Sequence, residues 1–144
     1  MKLTSFFNRS LGTWESHRTY LYPTSGTIKS FITTFTWTNP FVNYYDVVWS
    51  SINGKGSFNC TFNDDTQIQR GSGYFTSHPT TSRILSISHK VLHTLTIYNN
   101  VIFDEKIVFL NDSFRTRRTF GYKQNKDLSQ GDLILSGSYQ EKKL

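Results

Sequence analysis

The chain has no alanine, one cysteine, one methionine and three prolines in 144 residues. Each shortage excludes something. Without alanine, and with threonine and serine abundant, little in the composition sustains long helices. A lone Cys60 permits neither an internal disulfide nor a cysteine-based metal site. It falls in an alternating, strand-like stretch, so a packing role is expected for it. Acidic residues are also scarce, 10 against 16 lysines and arginines, for a net charge of +6. The basic residues form no continuous stripe but gather at Arg115, Arg117, Arg118, Lys142 and Lys143. That distribution argues against a nucleic-acid surface. No apolar run approaches the ~20 residues of a membrane span. The start, MKLTSFFNRSLGTW, lacks the apolar core and small-residue cleavage site of a secretory signal. These features predict a soluble, cytoplasmic protein, not secreted and without membrane insertion.

What the chain does have is aromatic residues, 16% of the total against 18% charged, a composition suited to strands and a packed core. Its length predicts one domain over residues 1–144. Leu3, Phe6, Phe7 and Leu11 follow helical spacing and Gly12 can end the helix, which predicts a short amphipathic helix over 2–11 placed to plug or flank a barrel mouth. Strand-like runs follow at 15–22, 27–38, 44–52, 56–63, 66–75, 83–89, 91–98, 101–110, 114–123 and 133–142. Turn residues separate them, among them Asn39-Pro40, Asn53-Gly54 and Asn99-Asn100. About ten short, hairpin-linked strands predict a closed antiparallel up-and-down β-barrel, because closure removes exposed edges.

The last three runs carry the chemistry. Side chains alternate across a strand. Val101, Phe103, Glu105, Ile107 and Phe109 therefore share an apolar face with one carboxylate in its middle. Leu133, Leu135, Gly137, Tyr139 and Glu141 repeat the design. A carboxylate on such a face requires a partner. Arg115 and Arg117 supply one if Asn111-Asp112-Ser113 is a three-residue loop; a two-residue loop would turn Arg118 inward instead. A buried ion pair that fixes register is the competing reading. Two arginines with two carboxylates exceed what one structural pair needs and point to a ligand's carboxylates and N–H groups. Arg18 shares parity with Trp14 and Ser16, so it either faces inward or is a surface arginine. The histidines (His17, His78, His89, His93) show no zinc arrangement, and there is no phosphate loop or nucleophile elbow.

Several segments together resemble the S-type phycobiliprotein lyases, the CpeS/CpcS-like bilin lyases. They are Gly12-Thr-Trp-Glu-Ser-His-Arg-Thr-Tyr20, Arg70-Gly-Ser-Gly-Tyr-Phe75 with His78-Pro-Thr-Thr-Ser82, Phe103-Asp-Glu-Lys-Ile107, Phe114-Arg-Thr-Arg117 and Gly137-Ser-Tyr-Gln-Glu-Lys142. Ser72 is an insertion relative to that pattern, and Lys142 stands where an arginine is usual. The resemblance implies a lipocalin-like (calycin) barrel that binds a linear tetrapyrrole, phycoerythrobilin favoured over phycocyanobilin, and attaches it through a thioether to a cysteine of a phycobiliprotein subunit. The bilin is a substrate; neither a permanent cofactor nor a metal is implied. On this reading Glu105 and Glu141 act on the pyrrole N–H groups as catalytic carboxylates. Arg18, Arg115 and Arg117 hold propionates, and Trp49, Ser138 and Tyr139 complete the ligand site. Either glutamate is then replaceable by glutamine without loss of the fold. The resemblance also allows a plastid stroma as the compartment and a homodimer as the assembly. The alternative is a barrel of the same kind that carries a bilin, a fatty acid or another anionic lipophile without transferring it.

Overall fold

A computed structural model describes residues 1–74 and 76–144. It contains one helix, α1 (Lys2–Arg9), followed by ten strands. These are β1 (Gly12–Tyr22), β2 (Thr27–Phe41), β3 (Tyr44–Ser51), β4 (Gly54–Thr61), β5 (Gln67–Arg70), β6 (Thr80–Ile87), β7 (Val91–Tyr98), β8 (Val101–Phe109), β9 (Phe114–Gln124) and β10 (Gln130–Lys143). All neighbours are antiparallel and consecutive in sequence, and β1 pairs with β10 to close the barrel. The expected all-β barrel with an N-terminal helix is present, and no helix among the described residues is long and apolar enough to cross a membrane.

Two turn readings are resolved differently by the backbone. Asn99 and Asn100 both take positive φ, 50° and 60°, as a two-residue hairpin turn that follows the strand twist requires. Asn39-Pro40, by contrast, is not a turn. β2 runs through it to Phe41 with a register shift between Thr38 and Phe41, and the reversal falls at Asn43, φ 56°. A proline has no ladder N–H to lose at such an irregularity. The run expected at 66–75 is a strand only over Gln67–Arg70, and its last position, Phe75, lies outside the described residues.

The helix closes one end of the barrel. Leu3, Phe6 and Phe7 are buried; Phe7 packs on Trp37 and Phe62, and Phe6 on Phe109. Eight residues are too few for a stable isolated helix, so contacts elsewhere hold it. Asp65 accepts hydrogen bonds from the Lys2 and Leu3 amides at 3.2 and 3.0 Å, meeting the unsatisfied donors and positive end of the helix. Tyr45 donates to Asn8 at 2.6 Å. Trp14 Nε1 donates to the Ser10 carbonyl at 2.9 Å, which ties the first strand to the plug.

Candidate functional site

The opposite end of the barrel is open and leads to a cavity of about 400 Å³, within the range of small-molecule sites. Its walls are aromatic, with Tyr20, Phe31, Phe35, Phe58, Tyr74 and Tyr139 among them. Its polar groups are few: Arg18, Arg70, Glu105, Arg117 and Thr119 among them.

Register explains how these meet. The β8–β9 loop is of the three-residue kind, so Ile107 pairs with Arg117 and Phe109 with Arg115, and Arg118 is exposed. Glu105 pairs with Thr119 on β9 and accepts its hydroxyl proton at 3.1 Å. Arg117 Nη2 lies 3.2 Å and Arg70 Nη2 3.4 Å from Glu105 Oε1. Burial acts to raise the Glu105 carboxyl, but Arg117 and Arg70, with smaller help from Arg18 and Thr119, outweigh it and hold the group down to about 2. Glu105 is therefore a carboxylate at neutral pH, suited to be a counter-ion rather than a proton donor. Arg117, in the converse environment, is held firmly in its charged form by Glu105 and Glu141 despite its burial.

Arg18 differs from both. Its guanidinium carbon sits 3.9 Å from the ring centroid of Tyr139, with Phe35 and Tyr74 at 5.2 and 5.3 Å. It is 4% exposed, yet Nε and Nη1 have no acceptor. A buried guanidinium with unpaired Nε and Nη1 beside the cavity can receive an anion, and a carboxylate matches its fork.

Tyr139 owes its placement to a glycine. A Cβ on Gly137 would come within 2.7 Å of Tyr139 Cζ, so the ring lies over the missing side chain. Trp49 uses Gly56 in the same way, with Nε1 3.0 Å from where a Cβ would stand. Both rings are thereby laid along the barrel wall.

Of the residues singled out in the sequence, Arg18, Glu105, Arg117 and Tyr139 line the cavity. Four others, Arg115, Glu141, Ser138 and Trp49, do not line it. Arg115 and Glu141 are on inward positions but lie at the plugged end. Arg115 Nε donates to Glu141 at 2.7 Å and Nη1 to Ser10 Oγ at 2.8 Å, and its guanidinium stacks on Trp14 at 4.4 Å. Both are almost completely buried beneath the helix. Burial disfavours the Glu141 carboxylate, but Arg115 and then Arg117 hold its proton affinity below the ordinary range. This pair belongs to the floor of the barrel. Arg117 Nε, 3.9 Å from Glu141, is its link to the cavity. Ser138 is exposed, because it alternates with Tyr139 and faces outward. Trp49 has the inward parity of β3 but does not line the cavity: its ring is 4.9 Å from that of Tyr74 and its Nε1 donates to the Gly73 carbonyl at 2.8 Å. It supports Tyr74, which does line the cavity.

Sequence reasoning did not assign Arg70, Tyr74 or Thr119. Arg70 and Tyr74 lie in the Arg70–Phe75 segment that carried the resemblance. Thr119 is recoverable from register alone, opposite Glu105. Cys60 is buried, and burial pushes its thiol up, as a packing role requires. Two histidines have carboxylate partners, His93 with Asp104 and His17 with Glu15, each at 2.7 Å.

No protein-family model matches the chain, and no curated protein matches it significantly in sequence. Solved structures do. The S-type phycobiliprotein lyase CpeS from Guillardia theta superposes with a TM-score of 0.72 at 15% identity, covering 100% of this chain and 93% of that one. The barrel has the fold of an S-type phycobiliprotein lyase. That neighbour is of the same family that the sequence segments resemble. A protein of unknown function from the DUF3598 family of Nostoc punctiforme superposes with a TM-score of 0.67 at 12% identity, covering 96% of this chain and 48% of that one. This chain thus spans about half of the second neighbour.

Proposed function

We propose that the protein is a bilin lyase: it holds a linear tetrapyrrole, phycoerythrobilin in preference to phycocyanobilin, and delivers it to a cysteine of a phycobiliprotein subunit as a thioether. The observation that carries this reading is Arg18, buried with two N–H groups unpaired in an aromatic cavity that also holds the ionised Glu105. A bilin supplies a propionate for the guanidinium, flat faces for Tyr20, Phe31 and Tyr139, and pyrrole N–H groups for Glu105. The fold and the sequence segments support the same ligand.

The chemistry needs no nucleophile from this chain. The client's thiolate adds to the ethylidene of the pigment's A-ring. One carbon–sulfur bond forms, the double-bond electrons pass into the conjugated system, and the thiol's proton ends on the pigment, with no leaving group and no oxidant. Glu105 favours the protonated, electrophilic form of the ring system by lying as an anion beside it, and the barrel's contribution is orientation and electrostatics. Arg70 and Arg117 fix the position of that carboxylate. The protein then works where its client is made, in the cytoplasm or a plastid stroma.

The test is transfer. Incubated with phycoerythrobilin and a pigment-free phycobiliprotein subunit, the protein should yield a covalent adduct that survives denaturing electrophoresis and has the absorbance of the native subunit. Pigment binding without an adduct on any subunit tried would leave a carrier and contradict the lyase reading.

A further inference from the structure

The charges inside the barrel do not balance. Arg18, Arg70, Arg115 and Arg117 are opposed only by Glu105 and Glu141, so the interior of the described structure holds two positive charges in excess. Arg115 belongs to Glu141, and Arg70 and Arg117 both reach Glu105. Among the described residues Arg18 is the interior arginine with no carboxylate in ion-pair contact; Arg70 and Arg117 share one carboxylate, and their Nε atoms lack acceptors as well. A second carboxylate at the depth of Arg18 would have to share Arg70 and Arg117 with Glu105, whereas a position nearer the mouth lies away from that anion.

Lys29 is placed there. In the β1–β2 ladder Arg18 pairs with Phe31 and Tyr20 with Lys29. Phe31 and Tyr20 line the cavity, and alternation puts Lys29 on the same inner face as Phe31, roughly 6.6–6.8 Å further toward the opening. Its ammonium is 5.7 Å from the ring centroid of Tyr22, another lining residue. The side chain is exposed, and no carboxylate pairs with it among the described residues.

We infer that Lys29 is a second carboxylate-binding position at the mouth, so that the cavity selects a dicarboxylate held by Arg18 within and Lys29 at the rim. The inference rests on the reading of this cavity as a site for an open-chain tetrapyrrole, whose two propionates would fill the two positions. A fatty acid would use Arg18 alone and leave Lys29 idle. The lysine therefore tells the two ligand classes apart.

The experiment is a titration of the wild type, Lys29→Met, Lys29→Arg and Lys55→Met with phycoerythrobilin and with its dimethyl ester. Lys55 lies near the same end on an outward position, paired with Ser50, and serves as the control. Exposed ion pairs are worth at most about 1 kcal/mol, so Lys29→Met should weaken binding of the free acid about two- to fivefold at low salt. The difference should fade as salt is raised. Lys29→Arg and Lys55→Met should match the wild type, and the ester should bind Lys29→Met and wild type equally. Equal binding of the free acid by wild type and Lys29→Met overturns the inference while leaving the tetrapyrrole reading intact. An equal loss with the ester also overturns it, since the side chain would then act by packing. A wild type that binds neither form overturns both.

Discussion

Arg18 lies against the face of Tyr139, guanidinium carbon to ring centroid 3.9 Å, with no carboxylate paired to it among the described residues. A positive charge thus rests against aromatic rings, with Glu105 and Glu141 acting on it only from beyond ion-pair distance. The fold tolerates this arrangement at a cost that a bound carboxylate would relieve.

It follows that Arg18→Met should separate binding from stability. Charge-assisted hydrogen bonds contribute about 1.5–3 kcal/mol, so pigment affinity should fall by at least about tenfold. Stability should stay level or rise, because a buried, unsatisfied charge has been removed. Pigment titration and denaturant unfolding of the same preparation check both halves.

The Arg115–Glu141 pair should behave in the opposite way. Removing one partner of a buried ion pair costs about 3–5 kcal/mol. Glu141→Gln is therefore expected to destabilise the barrel strongly in urea unfolding, contrary to the expectation from the ligand reading that either glutamate could become glutamine without loss of the fold. Replacing both residues with apolar ones of similar size should recover much of the loss.

How far the site was legible in the sequence follows from what alternation reports. Period-two patterning tells which face a residue occupies, and it placed Glu105, Arg117 and Tyr139 on the inner face. It does not tell depth along the barrel. Arg115 and Glu141 satisfy the same rule as Arg117 and Tyr139, one inward step nearer the plug, and the helix turns that step into a sealed floor. Ser138 lies on the outward parity; it entered the expected site through the resemblance and not through alternation. Arg70 was hidden for another reason: β5 offers four residues, too few to show a period, and the chain then enters the loop that carries Tyr74. The hairpins were mostly readable because Asn-Gly and Asn-Asn turns act locally. Asn39-Pro40 misled because the bulge that accommodates it depends on β3.

Acid should weaken the fold partly through Glu105. Its proton affinity is lowered from an ordinary 4.5 to about 2, so folding favours the carboxylate. The contribution is complete above the ordinary value and is lost as pH falls from there toward 2. Unfolding midpoints measured at about pH 5 and about pH 3 should drop more for the wild type than for Glu105→Gln. At neutral pH that variant should be less stable than the wild type, because Arg70 and Arg117 lose their shared partner.

Gly137→Ala tests the cavity wall. The added Cβ would stand 2.7 Å from Tyr139 Cζ, so the ring must leave the wall and give up its stack on Arg18. Pigment binding should weaken several-fold, and Tyr139→Ala in the same background should remove the additional effect of the alanine. Titration of the single and double variants gives the coupling between the two sites.

The central claim, that this barrel is a receptor for an open-chain tetrapyrrole, is tested most directly by an absorbance titration. Phycoerythrobilin and phycocyanobilin are each mixed with increasing protein. A red-shifted, sharpened long-wavelength band that saturates at one pigment per chain is the predicted result. Spectra that stay those of the free pigments, with both compounds, would contradict it.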